Sequence, residues 1–564
     1  MEENRLMALA KRRGFFHPAY EIYGGVAGMY DYGPLGTALK RNIADHWRRL
    51  YVLGEGFAEI DSPNVSPEAV FIASGHVAEF SDFAVQCEGC KEAFRADHLL
   101  EGKVPNPDSL EAEALATAIK EHDVACPSCK GKLGAPYTFN LMFQTKIGPG
   151  SGRVGYLRPE TAQAMFFNFS SLYRYFRDDL PFGAVQVGKG FRNEISPRQG
   201  MIRLREFNMM EAEVFVRPDA KTWPRFKDVA ADTLHLVPQD GKDLSISVSE
   251  AVENGVIKNE ALAYFVALTK RFLVDVGIDD KRLRFRQHLS DEMAHYASDC
   301  WDAEIELAIG WTEAVGIADR GSYDLEQHIK HSGADLRAFE RFDKPVETER
   351  DALVPVSAKL GPLFKKEAGA VKEALATAEA SAIQKDGSAK LNVAGKDITV
   401  PKECFELKRV KETAHGRRFV PHVIEPSYGL DRILYSVMEH AHFEKDDYTV
   451  LRLPSRVAPI KFGVFPLMAK DGLDVEAGKL DAELRRAGIA TSFDDGGTIG
   501  RRYARMDEIG TPFCITLDYD SLQDKAVTVR DRDSKKQARV PIDGIAKTAR
   551  ELLERGTDAI QGWA

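Results

Sequence analysis

Two stretches of this 564-residue chain gather arginines, carboxylates and an aromatic ring at spacings that suit an anionic nucleotide. The first is Phe191-Arg192-Asn193-Glu194, a loop over 195–201, then Ile202-Arg203-Leu204-Arg205-Glu206-Phe207-Asn208-Met209-Met210-Glu211-Ala212-Glu213. Two strands joined by a short Pro/Gly loop make a hairpin. Alternation then puts Arg203, Arg205, Phe207, Met209, Glu211 and Glu213 on one face, with Arg192 and Glu194 sharing a face of the partner strand. Guanidinium forks suit phosphates, the ring suits a base, and carboxylates suit an ammonium or a metal. The second stretch is Glu425-Pro426-Ser427-Tyr428-Gly429-Leu430-Asp431-Arg432. Here a strand runs through a glycine into a helix whose first turn carries an arginine, held rigidly enough to reach a phosphate. Taken singly, each pattern has a plainer reading: a solvated sheet face laced with ion pairs, and a turn with a capping aspartate.

A third group is Cys87-Glu88-Gly89-Cys90 with Cys126-Pro127-Ser128-Cys129. Two CxxC knuckles have the spacing of a tetrahedral four-cysteine zinc site. The competing reading is four reduced cysteines in a ribbon that has lost its metal. Cys300, Cys404 and Cys514 are isolated and read as small buried hydrophobes. His76, His98, His422 and His440 lie beside these stretches. No nucleophile–base spacing emerges around them, so they read as packing or hydrogen-bonding residues.

The elements that must position these groups follow from periodicity. Leu39, Ile43, Trp47, Leu50 and Tyr51 recur at helical spacing, and Phe57–Ile60 reads as a strand. Residues 138–215 read as antiparallel sheet, and Cys300–Glu313 as a helix. Residues 363–382 read as a solvated helix, and Asp431–His440 as a helix. Beyond a linker at Pro454–Pro459, strands and helices alternate, predicting an α/β domain over 458–564. The other expected bounds are a core of 1–86 and 130–457, a CxxC insertion at 87–129, and insertions at 222–300 and 330–415.

Composition narrows the class. The chain is 44% hydrophobic and 29% charged with net charge −10, which excludes a disordered or collagenous protein. The acidic balance argues against nucleic-acid binding by bulk charge, so any RNA contact needs local patches. Arg501, Arg502 and Arg505 are a candidate. No apolar run reaches membrane-spanning length, and the N-terminal residues lack the apolar core of a secretory signal. Seven cysteines, four of them in knuckles, point to a reducing cytoplasm.

Together the stretches resemble a known family. FRNEISPRQGMIRLREFNMMEAE, at about 182–216, resembles motif 2 of class II aminoacyl-tRNA synthetases. EPSYGLDR with ILYSVMEH, at about 420–440, resembles motif 3. EIYGGVAGMYDYGPLG and the following helix, at about 21–70, resemble motif 1. FRADHLL, GPGSGRVGYLRPETAQ, WTEAVGIADRGSYDL and VIEPSYG are similar to the homodimeric glycyl-specific members. The segment from GVFPL to DDGGTIGRRYARMDEIGTPFCITLDYD resembles their anticodon-binding domain.

The resemblance implies an α+β catalytic domain on a mixed, mainly antiparallel sheet, a zinc-ribbon-like insertion and a C-terminal α/β anticodon-binding domain. It implies a glycine–tRNA ligase that forms glycyl-adenylate and pyrophosphate from glycine and ATP, then transfers glycine to the 3′ end of tRNA(Gly). Arg192 and Arg432 would be catalytic, gripping the α- and γ-phosphates. ATP would lie against Arg192, Asn193, Glu194, Ile202, Arg203, Leu204, Arg205, Glu206, Phe207, Glu313, Ala314, Gly429, Leu430, Asp431 and Arg432. Glycine would meet Arg95, Glu160, Phe207, Asn208, Met209, Met210, Glu211, Arg320, Glu425, Ser427 and Gly429. Mg²⁺ would bridge the phosphates, Cys87, Cys90, Cys126 and Cys129 would hold structural Zn²⁺, and the protein would be a cytoplasmic homodimer with no membrane contact. The usual Glu-Arg pair of motif 3 stands here as Asp431-Arg432. Glycine has no smaller competitor, so no editing site is expected. A paralogue without aminoacylation activity would have lost a motif arginine, yet Arg192, Arg205 and Arg432 are all present.

Overall fold

The alternation read from residues 207–213 builds the centre of a nine-stranded sheet. The computed structural model describes residues 5–150, 152–197, 199–289, 297–378, 380–393, 396–445 and 448–563. The strands of the main sheet are β1 (Ala58–Glu59), β2 (Phe182–Phe191), β3 (Glu206–Val216), β4 (Thr233–Val237), β5 (Leu244–Ser247), β6 (Leu283–Gln287), β7 (Asp299–Leu307), β8 (Gly310–Gly321) and β9 (His422–Gly429). Their order across the sheet is β5-β4-β6-β7-β8-β9-β3-β2-β1. Only β1–β2 and β4–β6 pair in parallel. The even residues Met210, Ala212, Val214 and Val216 of β3 enter the main core, while the odd residues face the candidate site.

Two expectations need correction. The hairpin ladder is shorter than expected, since β2 ends at Phe191 and β3 begins at Glu206. Gly200–Ile202 is a 3₁₀ turn whose Met201 and Ile202 are buried, so the segment coils inward instead of extending the strand. Arg192, Glu194, Arg203 and Arg205 therefore lie beyond the ladder. Residues 300–313 form the β7–β8 hairpin, not a helix. Trp301, Ala303, Ile305 and Leu307 alternate into the core, and Gly310 takes a positive φ of 104° where the chain reverses. The stretch 222–300, expected as an insertion, is continuous with the main sheet. Its strands extend the main sheet and its helix is buried within the main core; residues 290–296 fall outside the described set.

Three helices brace the site from the core side. Helix α1 (Pro34–Arg48) opens on a proline, whose missing N–H costs nothing there. It buries Leu39, Ile43 and Trp47, then widens into a π-turn over Arg49–Gly54. Helix α2 (Glu260–Val276) is apolar nearly all round and deeply buried. The Tyr428 hydroxyl at the end of β9 joins these helices, lying 2.8 Å from the Tyr51 hydroxyl and 2.7 Å from Thr269 Oγ1. Helix α3 (Leu430–Ala441) buries Ile433, Leu434, Val437, Met438 and Ala441, which rigidly aims its first turn.

The C-terminal domain has a five-stranded sheet. Phe462–Pro466 lies parallel to Thr491–Phe493 and Phe513–Leu517, and the Ala526–Asp531/Gln537–Pro541 hairpin continues it. The expected arginine patch there is largely committed inward. Arg502 is buried and donates to the Asp495 and Gly497 carbonyls, and Arg505 grips Asp494, leaving Arg501 exposed. Residues Arg337–Phe419 form a second compact unit, overlapping the expected 330–415 insertion. Its long hairpin (Ala338–Pro355 with Phe405–Phe419) carries a small core of Leu353, Leu360, Val371, Leu375 and Val400.

Candidate active site

The odd-numbered face of β3, the ends of β8 and β9, and the first turn of α3 enclose an open cavity of about 200 Å³. Arg192, Glu194, Ile202, Arg203, Leu204, Phe207, Asn208, Met209, Glu313, Ala314, Ser427, Gly429, Asp431 and Arg432 all line it. Phe207 can lie across β2 because its partner there is Gly190; a Cβ at that position would fall 2.6 Å from the ring. The Arg192 guanidinium sits 5.4 Å from the Phe207 ring centre and 5.3 Å from that of Phe80. Arg432 is fixed by main-chain acceptors, donating to the Ile202 carbonyl at 2.9 Å and the Glu313 carbonyl at 2.8 Å. The Glu313 carboxylate lies 3.4 Å from the same guanidinium. Arg205 does not face the cavity as a free fork. It donates to the carbonyls of Glu194 and Ala27 and so pins the loop.

Asp431, in place of the usual glutamate, is buried beneath this end. It accepts from the Asn208 amide N–H at 2.5 Å, from Asn208 Nδ2 at 2.8 Å and from the Tyr32 hydroxyl. Burial raises its carboxyl above the ordinary value, against the pull of those donors. One carboxylate thus ties together segments from all three motif regions.

Beyond Ser427 lies an acidic cluster. Glu211 accepts from Ser427 Oγ at 2.6 Å, from the Thr161 N–H at 2.6 Å and from the Thr161 hydroxyl. Arg320 meets Glu425 with one nitrogen at 2.8–2.9 Å from both oxygens, and Asp324 through two others. Burial, Glu211 and Glu160 push the Glu425 carboxyl up to about 7, with Arg320 opposing them. Burial would also raise Glu160, but His76, Arg320 and Gln163 outweigh it and hold that carboxyl well below the usual range. The cluster therefore holds carboxyls of opposite tendency within one pocket.

Some expected residues stand apart. Arg95 pairs with Asp82 at 3.1 Å and Asp97 at 2.6 Å, in a neighbouring cavity with His98 and Arg203. Met210 and Leu430 point into the core. Glu206 pairs with Lys189 on the opposite side of β3. The Asn193 N–H donates to the Leu141 carbonyl at 2.7 Å. Residues that sequence reasoning left out include Tyr32, Phe80, Thr161 and Glu213. Both Glu213 oxygens are buried without a hydrogen-bond partner among the described residues. Its place in the alternation with Glu211 was the available signal.

The four knuckle cysteines converge. Cys87 and Cys129 Sγ are 3.4 Å apart, Cys90 and Cys126 Sγ are 3.6 Å apart, and all four lie within 4.8 Å of one another. A tetrahedron of about 2.3 Å Zn–S bonds places its sulfurs about 3.8 Å apart, so the donor set fits zinc. Each knuckle turns through a left-handed residue after its second cysteine, Lys91 and Lys130, rather than at Gly131. Gly131 is needed for close approach, because a Cβ there would lie 3.1 Å from Cys129 Sγ. His288, Cys300 and Asp302 form a second cluster in which His288 Nε2 and Asp302 already pair at 2.7 Å.

Residues 149–299 match the family model for the tRNA synthetase class II core domain (G, H, P, S and T), and residues 456–552 match an anticodon binding domain. A glycine–tRNA ligase of Methanothrix thermoacetophila is 51% identical over 97% of this chain and 96% of its own length. One from Archaeoglobus fulgidus is 47% identical over 99% and 98%, and one from Methanocaldococcus jannaschii 47% over 98% and 99%. With that identity over both full lengths, and with both motif arginines on one cavity, the chain belongs to the glycine–tRNA ligase family of class II synthetases.

Proposed function

We propose that this cavity joins glycine to ATP, with the triphosphate at the arginine end and the amino acid among the carboxylates. The observation that carries the reading is the polarity of the site: Arg192 and Arg432 face the opening, and Glu211, Glu425 and Glu160 cluster beyond Ser427. The glycine carboxylate attacks the α-phosphorus, pyrophosphate leaves, and the terminal ribose hydroxyl of tRNA(Gly) then displaces AMP from the adenylate. Arg192 neutralises charge at the α-phosphorus, where preorganised donors act most strongly. Arg432 holds the γ-phosphate, and Phe207 offers its ring to adenine. Mg²⁺ would neutralise charge on the triphosphate, and the Glu313 carboxylate, on the cavity wall beside Arg432, would be the group to hold it. Glu160, Glu211 and Glu425 hold the ammonium, and Arg320 limits the repulsion among them.

Zinc at Cys87, Cys90, Cys126 and Cys129 would tie the two ends of the insertion. Elemental analysis of protein purified without chelator should find about one zinc per chain. A value below a tenth of that would end this assignment.

The same reading includes a homodimer. Trp47 cannot serve a partner, since it is fully buried within its own chain. Ile22, Tyr23 and Leu53 instead remain 88%, 83% and 78% exposed in the motif 1 region, an apolar surface that suits a second copy. A monomer mass by sedimentation at micromolar concentration would refute it. All seven cysteines are free, which fits a cytoplasmic site of action. Among the described residues, no helix is long and apolar enough to cross a membrane.

The deciding experiment is ATP–pyrophosphate exchange with each of the twenty amino acids. Glycine alone should support it. Exchange with another amino acid and none with glycine would overturn the reading.

A further inference from the structure

His76 reads from sequence as a packing or hydrogen-bonding residue, and its surroundings give the second role a specific form. Its Nδ1 lies 2.7 Å from the Ser74 hydroxyl, and its Nε2 lies 3.5 Å from Glu160 Oε2. The other Glu160 oxygen accepts from Gln163 Nε2 at 2.8 Å. A carboxylate only accepts, so it is an Nε2–H that this ring can turn toward Glu160, across a distance longer than an ordinary hydrogen bond. Ser74 then fixes the ring's rotation from behind, and Phe71 and Phe80 hold it edge-on at 6.0 and 5.6 Å. The ring belongs to the short helix His76–Glu79, whose His76 and Val77 carbonyls accept from Asn140 Nδ2. Its side chain is only 15% exposed, and that of Glu160 only 11%.

The partners of Glu160 differ from those of its neighbours. Glu425 has a guanidinium and Glu211 has hydroxyl and amide donors, all supplied by the sheet or by the residue next to Glu160. Glu160 is steadied from outside the sheet, through an imidazole whose own orientation depends on a serine two residues earlier. Phe80 touches both the His76 ring and the Arg192 guanidinium, so the same short segment borders both ends of the cavity.

We propose that His76, oriented by Ser74, is a positioning residue for the substrate: it holds the Glu160 carboxylate in register to receive the glycine ammonium. This rests on the reading that places glycine among the carboxylates. His76 touches no reacting atom. Its effect reaches glycine through Glu160, as outer partners of a ligand group orient that group. At 3.5 Å the contact is an ion-pair distance longer than a short charge-assisted hydrogen bond, so losing this donor should weaken glycine moderately, and more than it affects any other step.

The test is steady-state pyrophosphate exchange with His76→Phe, His76→Gln, Ser74→Ala and Glu160→Gln, alongside melting temperatures. His76→Phe keeps a ring between Phe71 and Phe80 but removes the donor. It should raise the glycine KM about tenfold, with smaller changes in kcat and in the ATP KM. His76→Gln keeps an amide N–H at similar reach and should restore most of the affinity. Ser74→Ala should raise the glycine KM about threefold, and it carries the test should His76→Phe not fold. A folded His76→Phe or Ser74→Ala enzyme with unchanged glycine KM would overturn the proposal. Equal losses for glycine and ATP, unrelieved by glutamine, would also overturn it, since that marks a structural role. Glu160→Gln separates the two readings. If it weakens glycine while the His76 variants do not, only the role of His76 falls; if it leaves glycine unaffected, the placement of the ammonium falls with it.

Discussion

At the arginine end of the cavity, charge is anchored to the main chain: Arg432 donates to two backbone carbonyls and Arg205 to two more. At the acidic end, charge is anchored mainly to other side chains, with Arg320 on Glu425 and Asp324, Ser427 on Glu211 beside one main-chain N–H from Thr161, and Gln163 on Glu160. Backbone anchors depend on the fold and on little else, so an arginine can hold its place while leaving donors for a ligand. A side-chain lattice is different, because removing any member leaves its partners buried and unpaired. The two ends should therefore fail differently, one in rate and the other in stability.

The largest effect should follow Arg320→Leu. It strands Glu425 and Asp324 in a buried site, and breaking such a pair typically costs about 3–5 kcal/mol. Urea denaturation should show that loss, and a stability within about 1 kcal/mol of the parent would break the comparison, since unpaired buried charges cost several times that. Arg192→Ala should lower kcat of glycine-dependent pyrophosphate exchange by about 10²–10³, roughly 3–4 kcal/mol, with the melting temperature nearly unchanged. Arg192→Lys keeps the charge without the fork and should rescue little. Both variants within a few-fold of the parent enzyme would remove Arg192 from the chemistry.

Beneath the arginine end lies Asp431. Tyr32→Phe deletes one donor to this buried carboxylate and should cost about 1–3 kcal/mol of stability, with a rate loss smaller than that of Arg192→Ala. A large rate loss with no loss of stability would place Tyr32 in the chemistry instead. The smallest effect concerns Glu213, whose carboxyl is raised well above its ordinary value, first by burial and then by Glu425. A raised folded value means that stability is full below the unfolded pKa and is lost as pH climbs through the folded one. Glu213→Gln removes that loss, so it should raise the melting temperature by about 2 °C at pH 8 and by less at pH 5. An equal change at both pH values would mean that Glu213 does not titrate in this way.

Much of this was legible because local spacing suffices for it. Alternation from Phe207 to Glu213 assigned the cavity face of β3, CxxC spacing brought four cysteines to one place, and a residue order of strand, glycine and helix placed Arg432. The successive strands and helices of the C-terminal domain were equally readable, each being short and amphipathic. Cys300–Glu313 was not, because a short apolar run with scattered charges fits a buried strand as well as a helix. Its pairing with the neighbouring strands decided the matter.

The chemistry of individual side chains was settled at longer range still. That Arg192 and Arg432 are candidates for phosphate contact follows from sequence, since a guanidinium fork suits a phosphate. That Arg205 and Arg502 are tied to carbonyls, that Arg95 pairs with Asp82 and Asp97, and that Trp47 lies inside its own chain follow only from contacts across the fold. The same holds for His76 and Glu160, 84 residues apart and joined across a helix and a loop. A residue's type fixes which interactions it can make. Which of them it does make depends on which distant partners the packed chain brings within about 3 Å, and no local pattern records that.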